Sequence, residues 1–142
     1  MDAALRRQTA GSGRGPVVHC IDLDGFKPIN DAHGHAAGDR LLVEIARRLR
    51  ATAGPGDTVA RLGGDEFVVL CEETAEDAGA LAERLRRVIA EPVAVGPAVC
   101  AVTASVGTAS ADRIGQPTAD ALVAAADTAM YQRKAARRAA LV

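Results

Sequence analysis

Residues 58–71 read Thr58-Val59-Ala60-Arg61-Leu62-Gly63-Gly64-Asp65-Glu66-Phe67-Val68-Val69-Leu70-Cys71. Two strand-like runs, 58–62 and 66–71, flank Gly63-Gly64-Asp65, the composition of a β-hairpin with glycines at its tip. About forty residues earlier, Val17-Val18-His19-Cys20-Ile21 has a buried-strand pattern that ends in Asp22 and Asp24. Between the two, strand 17–23 leads into a loop with Pro28, Asn30, Asp31 and Gly34. An amphipathic helix then begins near Ala37, with Leu41, Leu42, Ile45 and Leu49 as its buried stripe. Ala53-Gly54-Pro55-Gly56 ends it. After the hairpin, Thr74 with Asp77 reads as a capping box. The helix it opens buries Ala78, Leu81, Leu85 and Ile89 and stops before Pro92. A fourth strand is expected over 99–108, carrying Gly107. Pro117-Thr118 opens a last helix with Leu122, Ala126, Ala129 and Met130 inside.

The order β-α-β-β-α-β plus a C-terminal helix is an α+β fold with a ferredoxin-like core and antiparallel strands in its central sheet. In that arrangement strand one lies beside the strand that follows the hairpin. The carboxylates after strand one and those at the hairpin tip then share one end of the sheet. Carboxylates held that close repel one another unless cations are present. Hard divalent ions such as Mg²⁺ choose oxygen ligands of this kind and keep positions open for substrate phosphates.

The bulk composition narrows the class. A chain of 142 residues fits one domain with a real core, and with aromatics at 2% that core is built from Ala, Val, Leu and Ile. Seventeen basic against eighteen acidic residues, a net charge of −1, argues against a nucleic-acid partner or a polybasic membrane surface. Arg47, Arg48 and Arg50 read as a solvated helix face. Cys20, Cys71 and Cys100 lie far apart in apolar runs, which suits buried free thiols in a reducing compartment rather than zinc or a disulfide framework. There is no signal-peptide pattern, and no apolar run approaches the ~20 residues of a membrane span. A cytoplasmic chain without direct membrane contact is expected. Residues 1–16 read as a flexible N-terminal remnant and 17–142 as the domain.

Four segments carry a resemblance: Asp22-Leu23-Asp24-Gly25-Phe26-Lys27; Asn30-Asp31-Ala32-His33-Gly34-His35 with Gly38-Asp39; Gly63-Gly64-Asp65-Glu66-Phe67; and Ala126-Asp127-Thr128-Ala129-Met130-Tyr131 with Lys134. Over roughly 17–138 the chain resembles the GGDEF-domain diguanylate cyclases, which condense two GTP molecules into cyclic di-GMP. The resemblance implies a GGDEF domain over 17–142, with Asp22 and Asp65 as metal-binding carboxylates and the Leu23 carbonyl as a further ligand. It implies two Mg²⁺ ions per active site, with Mn²⁺ as a substitute. Glu66 is then either the base for the attacking 3′-hydroxyl or a carboxylate supporting the metals. Gly25, Phe26 and Lys27, in a turn after strand one, would meet β- and γ-phosphates, and Gly63 and Gly64 leave room for the triphosphate. Asn30 and Asp39 match the guanine-reading pair; His35 beside them either touches the ligand or orients the loop. Lys134, a catalytic cation, and Arg138, a phosphate ligand, lie i, i+4 on the last helix. Arg133 and Arg137 could stand in for either, and an ordinary basic helix face is the alternative.

The implied partners are GTP, a second copy in a transient homodimer, and a fused or separate sensor or phosphodiesterase module. A catalytically weak GTP-binding regulatory module is the second reading. The chain departs from the family pattern in three places. The upstream product-inhibition site Arg-x-x-Asp reads Gly54-Pro55-Gly56-Asp57. The segment Asp-x-Leu-Thr-x-Leu-x-Asn-Arg before strand one is not present. The Gly-Arg-Asn after the last lysine reads Arg137-Arg138-Ala139.

Overall fold

A computed structural model describes residues 15–72, 77–111 and 118–140. Its central sheet has four strands in the order β2-β3-β1-β6, all neighbours antiparallel: β1 (Val17–Asp24), β2 (Thr58–Arg61), β3 (Glu66–Cys71) and β6 (Thr103–Ser110). A separate hairpin joins β4 (Val93–Val95) to β5 (Ala98–Cys100). The helices are α1 (Phe26–His33), α2 (His35–Thr52), α3 (Ala78–Ala90) and α4 (Ala119–Ala140). The ferredoxin-like core with a C-terminal helix is therefore present, with β1 beside both β3 and β6.

Strand alternation divides the apolar residues between two layers. Val17, Ile21 and Leu23 of β1 pack with Phe67 and Val69 against Leu41, Ile45 and Leu49 of α2 and Leu81, Leu85 and Ile89 of α3. On the opposite face, Val18, Cys20, Val68 and Leu70 meet Leu122, Ala126 and Met130 of α4. Gly107 is what lets α4 come so close. A Cβ there would stand 2.1 Å from both the Ala126 carbonyl oxygen and the Met130 nitrogen.

Several local expectations need correction. The stretch after β1 is not a loop but the helix α1. Pro28 falls in its first turn, where a missing N–H leaves no intrahelical bond unmade, and buried Phe26 pins the turn to the core. Phe26 and Lys27 are accordingly helical; only Gly25, with φ 83, makes the turn. The next helix begins at His35 rather than near Ala37, after Gly34 breaks the chain direction with φ 89. The region expected as one strand over 99–108 is two. Gly96 (φ 69) turns the β4–β5 hairpin, the backbone sign that two-residue hairpin loops favour, and the sheet strand starts only at Thr103. Thr74 lies outside the described residues; the cap observed at α3 is Asp77, whose side chain accepts from the Gly79 N–H. Thr118 caps α4 through its hydroxyl, 3.0 Å from the Ala121 nitrogen, while Ala129 is only partly buried.

Arg48 does not belong to a solvated face. Its guanidinium donates to the Val88, Glu91 and Pro92 carbonyls at 2.6–2.9 Å and so closes the C-terminal end of α3. Cys20, Cys71 and Cys100 are buried thiols outside any disulfide. Of the stretch before β1, Gly15 and Pro16 are buried, and the Pro16 carbonyl accepts from the Ala111 N–H at 2.9 Å.

Candidate functional site

The alternation that buries Val18 and Cys20 toward α4 also turns Asp22 and Asp24 to that face. Asp22 pairs in register with Glu66 on β3 and with Ser105 on β6, and Asp24 pairs with Thr103. Directly opposed residues of an antiparallel pair have Cβ atoms only ~4.5–5.5 Å apart. Asp65 joins them by backbone: its carbonyl accepts from the Leu23 N–H at 3.0 Å, which ties the hairpin tip to the end of β1. A strand residue directs its N–H and C=O to the same edge, so the Leu23 carbonyl faces the Asp65 side. Asp22, Leu23, Asp65 and Glu66 thus converge on one end of the sheet.

Cations from α4 cover them. The Lys134 ammonium pairs with Asp22 and lies 4.0 Å from Asp24. Arg137 donates to Asp24 at 2.8 Å and to the Thr103 hydroxyl at 3.0 Å. Ser105 and Thr103 hydroxyls also reach Asp24, at 3.1–3.4 Å. Arg138 is exposed on the same turn. Thr103 and Ser105 were not picked out by motif and announce themselves only once the β1–β6 register is known, while Asp24 lay in the first motif without a role and Arg137 only as a stand-in for Lys134 or Arg138.

Crowding shows in the acid strengths. Burial, then the Asp22 charge, pushes the Asp65 carboxyl above its ordinary value despite Lys134. Glu66 is raised by burial, then by the charge and hydrogen bond of Asp127 on α4, with Asp22 and Asp65 adding to it. The fit of a divalent cation follows from this donor set. Two carboxylates and a backbone carbonyl offer the hard oxygens that Mg²⁺ prefers, and their mutual repulsion is what such an ion relieves. Among the described residues no group of three or more His, Cys, Asp or Glu side chains is gathered as a metal site. The candidate donor set is thus partly backbone: Asp22 and Asp65 with the Leu23 carbonyl.

The remaining predicted residues fall into two places. Gly63 and Gly64 are exposed at the hairpin tip with open space where a Cβ would be, and Arg61 donates to both of their carbonyls at 2.9 Å. Gly25 and Lys27 are exposed at the amino end of α1, beside the end of β1, while Phe26 is buried beneath them. Asn30, His35 and Asp39 lie across the α1–α2 junction. Asn30 rests on Gly38, where a Cβ would stand 1.7 Å from its side-chain oxygen, and that buried oxygen has no hydrogen-bond partner. His35 and Asp39 are exposed. A cavity of about 380 Å³ between α2 and β2 is bounded by Asp39, Val43, Arg50 and Arg61, among others. None of Asp22, Asp65, Glu66 or Lys134 lines it.

The chain is similar to known proteins over most of its length. The family model described as "Diguanylate cyclase, GGDEF domain" matches residues 1–140. The chain is 48% identical over 119 residues to the bifunctional diguanylate cyclase/cyclic di-GMP phosphodiesterase MucR of Pseudomonas aeruginosa, covering 83% of this chain and 17% of that one. It is 42% identical over 147 residues to the response regulator PleD of Caulobacter vibrioides, covering 100% and 32%. A solved sensory box/GGDEF family protein from Caulobacter crescentus superposes with a TM-score of 0.85 at 42% identity, covering 95% of this chain and 86% of that one. The chain thus spans a third or less of the length of these curated relatives. Among the described residues no helix is long and apolar enough to cross a membrane.

Proposed function

The chain belongs to the GGDEF-domain diguanylate cyclase family, and from that membership and its site we propose that it condenses two GTP molecules into cyclic di-GMP. The observation that carries the proposal is the convergence of Asp22, Asp65 and Glu66 under the Lys134 ammonium. Asp22, Asp65 and the Leu23 carbonyl would hold Mg²⁺, two ions per site with Mn²⁺ able to substitute. When bound, such ions neutralise phosphate charge and acidify the attacking hydroxyl.

The chain's own groups do the rest. Lys134, with Lys27 and the amino end of α1, binds the β- and γ-phosphates and orients the leaving pyrophosphate. Gly25 and Phe26 contribute backbone N–H groups there, Gly63 and Gly64 leave room for the triphosphate, and Arg138 adds a charge at its edge. Asn30 and Asp39 read guanine, with His35 at their side. The Asp39 carboxylate accepts from guanine N1–H and N2–H, while the Asn30 amide addresses O6 or N3. Glu66 takes the proton of the 3′-hydroxyl. Its raised pKa suits a base, because proton-transfer catalysis improves as the pKa nears the working pH.

Each site holds one GTP, so two loaded chains must face one another in a transient homodimer. Each 3′-oxygen then attacks the partner's α-phosphorus as pyrophosphate leaves. The reaction belongs in the cytoplasm, where GTP and free thiols coexist. A fused or separate sensor or phosphodiesterase module would control the encounter.

Concentrated protein incubated with GTP and Mg²⁺, followed by chromatography, tests the proposal. Cyclic di-GMP should accumulate with wild type and vanish with Asp65→Ala. Tight GTP binding without product would replace the cyclase with a regulatory module.

A further inference from the structure

Arg137 stands where the family pattern has glycine, and it does not point idly into solvent. Its two terminal nitrogens reach Asp24 and Thr103 at 2.8 and 3.0 Å. Asp24 also accepts from the Ser105 and Thr103 hydroxyls. An ionised carboxylate has about four lone-pair positions, so these donors nearly saturate it. This matters because Lys134, one helical turn earlier, has two carboxylates within reach. It pairs with Asp22, while Asp24 waits 4.0 Å away. A lysine is a compact charge on a flexible stem and moves to whichever anion is least satisfied.

We propose that Arg137 is a positioning residue that, by saturating Asp24, keeps the Lys134 ammonium on the Asp22–Asp65 side, where the triphosphate is held. The inference rests on the cyclase reading above and adds a residue outside the family pattern. It separates three roles for the same guanidinium. If Arg137 touched phosphate itself, its loss could not be repaired elsewhere. If it merely clamped α4 to the sheet, removing Asp24 as well would do no good. If it quenches Asp24, neutralising Asp24 makes Arg137 dispensable.

The experiment is binding of a non-hydrolysable GTP analogue with Mg²⁺ to the whole chain, followed by calorimetry at concentrations where it is monomeric. Arg137→Ala should weaken binding about two- to fivefold, the range of a partly exposed ion pair. Arg137→Lys should keep most of the affinity, since it retains the charge. The decisive variant is Asp24→Asn with Arg137→Ala: affinity should rise from the Arg137→Ala level back to within about twofold of wild type, whereas loss of a mere clamp would leave it at the Arg137→Ala level. Arg137 is on the surface, and unchanged thermal unfolding of each variant accompanies the measurement. Unaltered binding by Arg137→Ala, or no recovery in the double variant, overturns the positioning role while leaving the cyclase reading intact. If the wild-type chain itself does not bind the analogue, the cyclase reading fails and the positioning role fails with it.

Discussion

His19 sits mid-strand in β1 with no exposed surface; its Nδ1 is 2.8 Å from the Thr108 hydroxyl and its Nε2 has no partner. Burial lowers its pKa from 6.5 to about 4, with the Asp57 charge pulling weakly the other way. The unfolded chain therefore binds a proton below pH 6.5 that the folded chain refuses until about pH 4. Stability from this group is complete above 6.5, falls through that window and is lost near 4, a change of about 3 kcal/mol at ~1.4 kcal/mol per unit. Urea midpoints measured between pH 7.5 and 4 should drop accordingly, and His19→Leu should flatten that part of the slope. An unchanged slope in the variant would move the acid sensitivity elsewhere. A histidine inside an apolar run does not disclose this, because its partner lies 89 residues away in sequence. Asp22, Asp65, Glu66 and Lys134, which the fold brings together, were picked out by their match to short family motifs, and such motifs are local. Ser105 and Thr103 were not, since a hydroxyl becomes a carboxylate partner only through the strand register.

At the scale of elements, α4 does two jobs: it covers one face of the sheet, and it carries Lys134 and Arg137 to the carboxylates. Both depend on its seat over Gly107. In Gly107→Ala the new methyl meets backbone atoms at 2.1 Å, and backbone cannot rotate away as a side chain can. The helix must lift, at a cost of about 1–3 kcal/mol typical of overpacking, and Lys134 rises with it. Thermal unfolding should shift downward by several degrees and cyclase activity should fall further than stability alone accounts for. Retained activity at full stability would mean that α4 is not held by this contact. The sequence contained Gly107 but not what passes over it, because the contact joins β6 to a helix placed by tertiary packing. The helix α1 escaped for another reason. Pro28, Asn30 and Gly34 have loop-forming preferences, and the burial of Phe26 outweighs them.

For the whole molecule, each chain presents one set of carboxylates on one open sheet end, and the proposed reaction needs two such sets face to face. Product formed per chain should therefore rise in proportion to protein concentration until the dimer is saturated. A specific activity independent of dilution over a hundredfold range would show that one chain suffices or that dimers are permanent. The proposed sensor or phosphodiesterase module, fused or separate, would act on that same encounter. Hydrophobic periodicity and the glycine-tipped hairpin determined the α+β class and the order of the principal strands and helices, because these properties are local; the proposed metal and phosphate residues came from the resemblance of four short segments to the GGDEF family. The partition of one expected strand into a hairpin and β6, the close seat of α4 and the Asp24–Arg137 network were decided only by tertiary structure. Each depends on register and on the distance between elements far apart in the chain. Those distances follow from how the two faces of the sheet are packed, which no local stretch of residues specifies.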